Sequence, residues 1–139
     1  NAEELARNPR LDRYFVQNLN ENLQLPFGDR EFDAVLNTVS IQYLEYPEAI
    51  LAEIHRILKP GGVTIISFSN RMFAQKAIQA WRDGSEASRL NLVGRYFQSV
   101  PGFSKPEAIV NQSQAPNFLA LLGIGSSDPF YAVLAYRQI

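Results

Sequence analysis

Cysteine is missing from this chain altogether, which excludes disulfides, thiol catalysis and cysteine-based metal centres. A single histidine, His55, leaves too few ligands for a structural zinc site. No apolar run reaches the roughly 18 to 20 residues that cross a bilayer, and no basic-then-apolar leader opens the chain. An excess of one charge is also lacking: 13 Lys and Arg face 14 Asp and Glu, for a net charge of −1. The basic residues form no cluster beyond scattered pairs, so there is no electrostatic footprint for nucleic acid. The expected setting is cytoplasmic, with neither membrane nor nucleic acid as partner.

What the chain does have is bulk for a core. Hydrophobic residues make up 46% of the 139, and nine Phe, six Tyr and one Trp supply large side chains. That length is close to the commonest domain size, so residues 1–139 are expected to form one domain.

Asn1 is suited to cap a short helix with Glu3 and Glu4 in its first turn. Pro9 should end it near Asn8. Residues 14–18 (Tyr-Phe-Val-Gln-Asn) are β-branched and aromatic, which predicts a short strand. A polar loop with Pro26 and Gly28 follows. Residues 32–37 predict a second strand, apolar at its centre as in strands covered on both faces. Pro47 opens a helix at its first position, and Ile50, Leu51, Ile54, Ile57 and Leu58 recur at the helical period. Lys59-Pro60-Gly61-Gly62 is a stop signal, and residues 63–68 form a third strand. Strand, helix and strand make a βαβ unit, so the two strands should be parallel.

Two further helices are expected, lined by Phe73, Ala77, Ile78 and Trp81 and then by Leu90, Val93, Tyr96 and Phe97, with Gly84 between them. Residues 106–111 read as a strand and residues 115–122 as a short helix. Gly123 to Ser127 form a turn cluster, and Asp128-Pro129 leads into a terminal strand at residues 130–136.

In order and spacing, several of these signals resemble the type 11 family of class I S-adenosylmethionine-dependent methyltransferases. They are Asn18 at a strand end, Leu25-Pro26-Phe27, Phe32-Asp33-Ala34-Val35, an amphipathic helix, Leu58-Lys59-Pro60-Gly61-Gly62 and an apolar strand. The resemblance implies an α/β fold: a Rossmann-like sheet, mostly parallel, with an antiparallel C-terminal strand and flanking helices. It also implies a strand order of 3-2-1-4-5-7-6. In the family, a first strand and a glycine-rich turn approach the methionyl end of the cofactor, because a backbone without Cβ can come into contact. Here the only Gly-x-Gly is Gly123-Ile124-Gly125, far too late in the order. Against that pattern the domain is expected to be amino-terminally truncated, with Asn1 falling after the second family strand. Residues 14–18 and 32–37 then lose their neighbours, and an uncovered strand edge invites pairing. The expectation is that the two orphan strands pair with each other, or that a homodimer forms through the edge or by segment exchange.

The resemblance also suggests site residues. Asn18 stands where the family has an Asp that accepts from the adenine amino group; the alternative is an Asx turn. Leu19 would offer its backbone N–H to the adenine edge. Asn37, Thr38 and Val39 would lie beside the cofactor near the transferred methyl, or simply close a strand. Gln42, Tyr43, Asn70 and Arg71 are candidates for substrate contact. Gln42 replaces a frequent His and cannot act as a base; Asn70 could instead cap a helix. Tyr43 and Tyr46 could line a pocket or pack. Asp33, at the far end of its strand, reads as structural, and His55 as a solvated residue off the apolar stripe. No metal site is expected. Methyl transfer asks mainly for alignment of nucleophile, methyl and sulfur, so the lack of a catalytic dyad fits, and the small-molecule acceptor is left open. The competing reading is a non-catalytic association module. A nicotinamide dehydrogenase fails for want of Gly-x-Gly-x-x-Gly.

Overall fold

The computed structural model describes residues 2–69, 77–111 and 130–139. Helix α1 (Ala2–Arg7) comes first and buries none of its residues. The chain then runs without regular structure to β1 (Phe32–Thr38) and a 3₁₀ turn (Ile41–Tyr43). Helix α2 (Pro47–Ile57), β2 (Leu58–Ser69), α3 (Gln79–Arg82), α4 (Glu86–Gln98), β3 (Glu107–Asn111) and β4 (Phe130–Tyr136) follow. The strands make one sheet in the order β1-β2-β4-β3. β1 and β2 are parallel, and β4 is antiparallel to both its neighbours. β3 therefore points the same way as β1 and β2. This is the expected α/β sheet, with an order matching strands 4-5-7-6 of the family pattern.

Helix α2 begins at Pro47 and buries Ile50, Leu51, Ile54 and Ile57, each contributing about 1.5 to 3 kcal/mol by leaving water. Ser85 caps α4 by accepting from the Ser88 N–H, and Val93, Tyr96 and Phe97 turn inward. Both helices share a core with Ile66 and Phe68 of β2 and with Tyr131, Val133 and Ala135 of β4. At its centre Phe68 meets Trp81 edge-on at 4.7 Å and stacks on Tyr131 at 5.5 Å. Arg89 joins this core although charged. Its Nε donates to the Trp81 carbonyl at 3.0 Å, and its guanidinium lies 5.5 Å from the Trp81 ring centre.

The passage from α2 to β2 has no loop. Phe32 pairs with Leu58, then Ala34 pairs with Val63, so Lys59 to Gly62 bulge out opposite the single residue Asp33. The strand therefore starts before the Gly stop rather than after it, as the sequence had suggested. Gly61 takes φ +82°, and a Cβ on Gly62 would fall 2.9 Å from the Lys59 carbonyl oxygen and 3.0 Å from that of Asp33. Arg137, just past β4, stitches the junction. Its N–H donates to the Gly62 carbonyl and its carbonyl accepts from the Gly61 N–H, both at 2.8 Å. Its Nη1 faces the carbonyls of His55, Arg56 and Leu58 at 2.9, 3.4 and 2.7 Å. A cation there meets both the unpaired carbonyls and the negative end of the helix dipole.

Three expectations change. Residues 14–18 form no strand, because β propensity is expressed through a paired neighbour and none lies alongside among the described residues. Tyr14, Phe15 and Val16 are exposed, Val16 at 67%. The two orphan segments do not pair with each other either, since β1 pairs only with β2 among the described strands. Finally, β1 is not covered on both faces: Leu36 is 52% exposed. Of the expected helices, Phe73 and residues 115–122 lie outside the described residues, as do the Gly123–Ser127 cluster and Asp128-Pro129.

Replacing Arg137 by alanine is expected to lower unfolding free energy by about 2 kcal/mol, as for hydrogen bonds to a charged donor. Arg137→Lys should recover part of that loss, as read from urea denaturation midpoints. Gly62→Ala should also destabilise, since both carbonyls it meets are backbone.

Candidate functional site

The carboxyl ends of β1 and β2 lie side by side, paired through Asn37↔Ile66 and Thr38↔Ser67. In open α/β sheets this is the end where ligands gather. Beyond Thr38 the backbone turns sharply. Val39 donates its N–H to the Ser67 carbonyl at 2.8 Å while holding φ at +52°. A β-branched residue in the left-handed region is a steric outlier, costing on the order of 1 to 3 kcal/mol. The Ser40 hydroxyl donates to Asn37 Oδ1 at 3.0 Å and the Ser67 hydroxyl to the Asn37 carbonyl at 3.5 Å. Gln42, wholly buried, directs Nε2 to the Val39 carbonyl at 3.4 Å. Its own carbonyl accepts from the Ile78 N–H at 3.0 Å.

The loop from Asn18 forms a second wall. Asn18 closes an Asx turn, its Oδ1 accepting from the Asn20 N–H at 3.0 Å. Asn20 then bridges to the 3₁₀ turn, its Nδ2 donating to the Tyr43 carbonyl at 3.0 Å and its Oδ1 accepting from the Glu45 N–H at 2.9 Å. Leu19 is half-buried against the main core. By these bonds the Asn18-Leu19 corner and the Asn37–Val39 turn are tied to one 3₁₀ segment at one end of the sheet.

The rest of the loop is anchored to α2. Arg56 grips Glu53 through Nε at 2.7 Å and Nη2 at 3.0 Å, and reaches Asp29 at 2.9 Å. The same guanidinium donates to the Phe27 carbonyl at 2.8 Å and the Leu25 carbonyl at 3.2 Å. Glu53 in turn accepts from the Leu25 N–H at 2.8 Å. Leu25-Pro26-Phe27 is thus a docking segment as well as a recognisable pattern. The hydrogen bond from Arg56 holds the Glu53 carboxyl below the usual carboxylate range, against the opposing effect of burial. The partnership raises the already high pKa of Arg56. Glu31 is lowered by its hydrogen bond from Arg13, with the Gly28 N–H adding to it.

The remaining candidates fall as follows. Tyr43 is half-buried in the 3₁₀ turn, whereas Tyr46 is exposed at the start of α2. Asn70 and Arg71 lie outside the described residues. Asp33 is exposed, its carboxylate 3.3 Å from the Lys59 ammonium, at the opposite end of β1. His55 is not a solvated residue: it is half-buried, edge-on to Phe103 at 5.1 Å, and a Cβ on Gly102 would lie 2.4 Å from its Nε2. The turn at Gly102 covers the helix on a side that the apolar stripe does not mark. Burial, with Arg137 nearby, pushes the His55 pKa below its ordinary value. Cavities among the described residues include one of about 580 Å³ between α4 and β3, away from the crevice, and one of about 330 Å³ around Phe15, Leu19 and Phe27. Among the described residues no group of three His, Cys, Asp or Glu converges for a metal.

Sequence reasoning missed Asn20, Ser67 and the Glu53–Arg56 pair. Opposite charges three residues apart on the polar face of α2 were a readable sign of the last; Asn20 and Ser67 carry no such sign.

Sheet order and strand directions together define an open α/β protein of Rossmann-like type. Residues 1–66, just under half of the chain, are similar to the sequence model of the methyltransferase domain family, and S-adenosylmethionine is the cofactor that this similarity leads one to expect. A malonyl-[acyl-carrier protein] O-methyltransferase from Marinomonas sp. (strain MWYL1) is 26% identical over 106 residues, covering 63% of this chain and 39% of that protein. The first curated relatives are matched over only 12%, 39% and 26% of their own lengths. A methyltransferase structure from Mesorhizobium loti superposes with a TM-score of 0.57 at 18% identity, covering 98% of this chain and 74% of that one. One from Thermotoga maritima gives 0.54 at 21%, covering 83% and 60%. At such identities the structures speak for the fold alone.

The titrating groups set a pH dependence. A lowered His55 means the unfolded chain binds a proton more readily, so stability is full above the ordinary value of 6.5 and declines as pH falls below it. Glu53 and Glu31 are lowered too, so their contribution is full above 4.5 and is lost as pH falls through their folded values. Thermal melts should therefore show two descending steps on acidification, and His55→Gln should remove the upper one. Separately, Val39→Asn, which tolerates the left-handed region, is expected to raise stability by about 1 kcal/mol, as read from urea unfolding.

Proposed function

We propose that this chain serves as an S-adenosylmethionine-dependent methyltransferase domain acting on a small-molecule acceptor in the cytoplasm. The observation that carries this reading is the Val39 turn. A strained backbone is pinned to Ser67 on one side and Gln42 on the other, at the carboxyl ends of two parallel strands. Asn18 and Leu19 fit the adenine end of the cofactor. The Asn18 oxygen has given one lone pair to the Asx turn, and a second is available to a donor. Asn37, Thr38 and Val39 fit the part near the methyl group. Among the described residues no Gly-x-Gly turn is present for the methionyl end, so this chain alone should hold the cofactor weakly.

When bound, the cofactor supplies an activated methyl on a sulfonium. What the protein adds is alignment of the acceptor and exclusion of water. The Marinomonas relative acts on a malonyl group carried by a protein, according to its name, and that acceptor class is the first to assay. Arg71 would suit its carboxylate. The second reading is an association module, favoured by the edge of β1, which no strand among the described residues covers, and by exposed Leu36, Tyr14, Phe15 and Val16. A homodimer through that edge accompanies either reading.

Calorimetric titration with S-adenosylhomocysteine should give saturable binding with Kd on the order of 0.1 to 1 mM, weakened about fivefold by Asn18→Ala. Silence through millimolar ligand would leave the association reading in place. Sedimentation over micromolar concentrations should show a dimer that Leu36→Lys dissociates, since a charge on an edge strand opposes pairing.

A further inference from the structure

The structure assigns Gln42 as a positioning residue: it holds the Val39 turn in its left-handed form, and so sets which backbone groups face the crevice. The inference deepens the methyltransferase reading and rests on it for the ligand.

Two unfavourable features lie three residues apart. Val39 holds φ at +52° in spite of its branched side chain. Gln42 is wholly buried, and its Oε1 finds no hydrogen-bond partner among the described residues. Buried side-chain acceptors are nearly always paired, and each exception lowers stability. A leucine at position 42 would fill similar space without that penalty, so packing alone does not account for a glutamine.

The contacts of Gln42 do account for it. The Val39 N–H is fixed by the Ser67 carbonyl at 2.8 Å, and the Val39 carbonyl is met by Gln42 Nε2 at 3.4 Å. The peptide on either side of the strained residue therefore has a partner, one from β2 and one from the 3₁₀ turn. Gln42 is itself seated by the bond from the Ile78 N–H to its carbonyl. Without the amide, the carbonyl side of Val39 is free to rotate toward negative φ, where a valine is relaxed. That rotation would redirect the Val39–Ser40 peptide at the mouth of the crevice. Local strain that the surroundings hold in place, beside an unsatisfied polar group, is the pattern by which a fold keeps a site preorganised at the expense of stability. Gln42 touches no ligand in this account and acts only through Val39.

The test compares wild type, Gln42→Leu and the double variant Val39→Gly with Gln42→Leu, all as the 139-residue chain. Three quantities are read: urea midpoint, amide hydrogen exchange at Val39, and affinity for S-adenosylhomocysteine. Gln42→Leu should keep or raise the midpoint, while exchange at Val39 quickens and affinity falls, each by about tenfold, the scale of one lost hydrogen bond. The double variant should recover the affinity, because glycine adopts positive φ without being held. A Gln42→Leu chain with a lowered midpoint and unchanged Val39 exchange would overturn the assignment and leave Gln42 as ordinary packing. Faster exchange with undiminished affinity would overturn it as well. If wild type binds no S-adenosylhomocysteine, the methyltransferase reading falls, and the exchange and midpoint results alone decide whether Gln42 holds the turn.

Discussion

The structure depends on how the last turn of α2 is terminated. A helix that passes straight into a strand leaves its final carbonyls in a confined place, with no loop to turn them toward water. Here they are met from two directions. The N–H groups of Arg30 and Glu31 donate to the carbonyls of Arg56 and Ile57 at 2.9 and 2.7 Å, and the Arg137 guanidinium faces those of His55, Arg56 and Leu58. The first pair comes from the approach to β1 and the second from the exit of β4. One helix end thus binds together the strand before it, the strand after it and the last strand of the chain. The parallel register of β1 and β2 follows, and with it the meeting of Asn37, Thr38 and Ser67 at the far end.

Much of this scaffold was legible in the residues. Pro47 and the stripe at Ile50, Leu51, Ile54 and Ile57 marked a helix whose observed bounds agree with them, because capping and periodicity are local signals. The strands at Phe32, Val63 and Phe130 were readable for the same reason, being apolar runs bounded by turn residues. Residues 14–18 were not, although they have the composition of a strand. Composition describes readiness to pair, and pairing needs a neighbour. The early start of β2 was equally hidden, since the Lys59–Gly62 bulge exists only through Asp33 opposite it and Arg137 beside it.

The candidate site was legible in its location and only partly in its workings. The patterns around Asn18 and Asn37 pointed to one end of the sheet, and the structure ties both to the 3₁₀ turn there. They did not show that Asn18 spends one lone pair on its own turn, or that Asn20 ties the two walls together. Nor does any sequence signal announce a valine at positive φ, because the residue type argues against that conformation. His55 was misjudged for a related reason: a helical wheel ranks faces by the helix's own residues and knows nothing of the Gly102 turn that comes to lie over one of them.

The clasp of Arg56 on Glu53, Asp29 and the carbonyls of Leu25 and Phe27 has a bearing on how β1 enters the sheet. A segment fastened at so many points surrenders its conformational freedom once, when the chain folds. The strand that follows therefore starts from a moored base, at the end of the sheet away from the crevice.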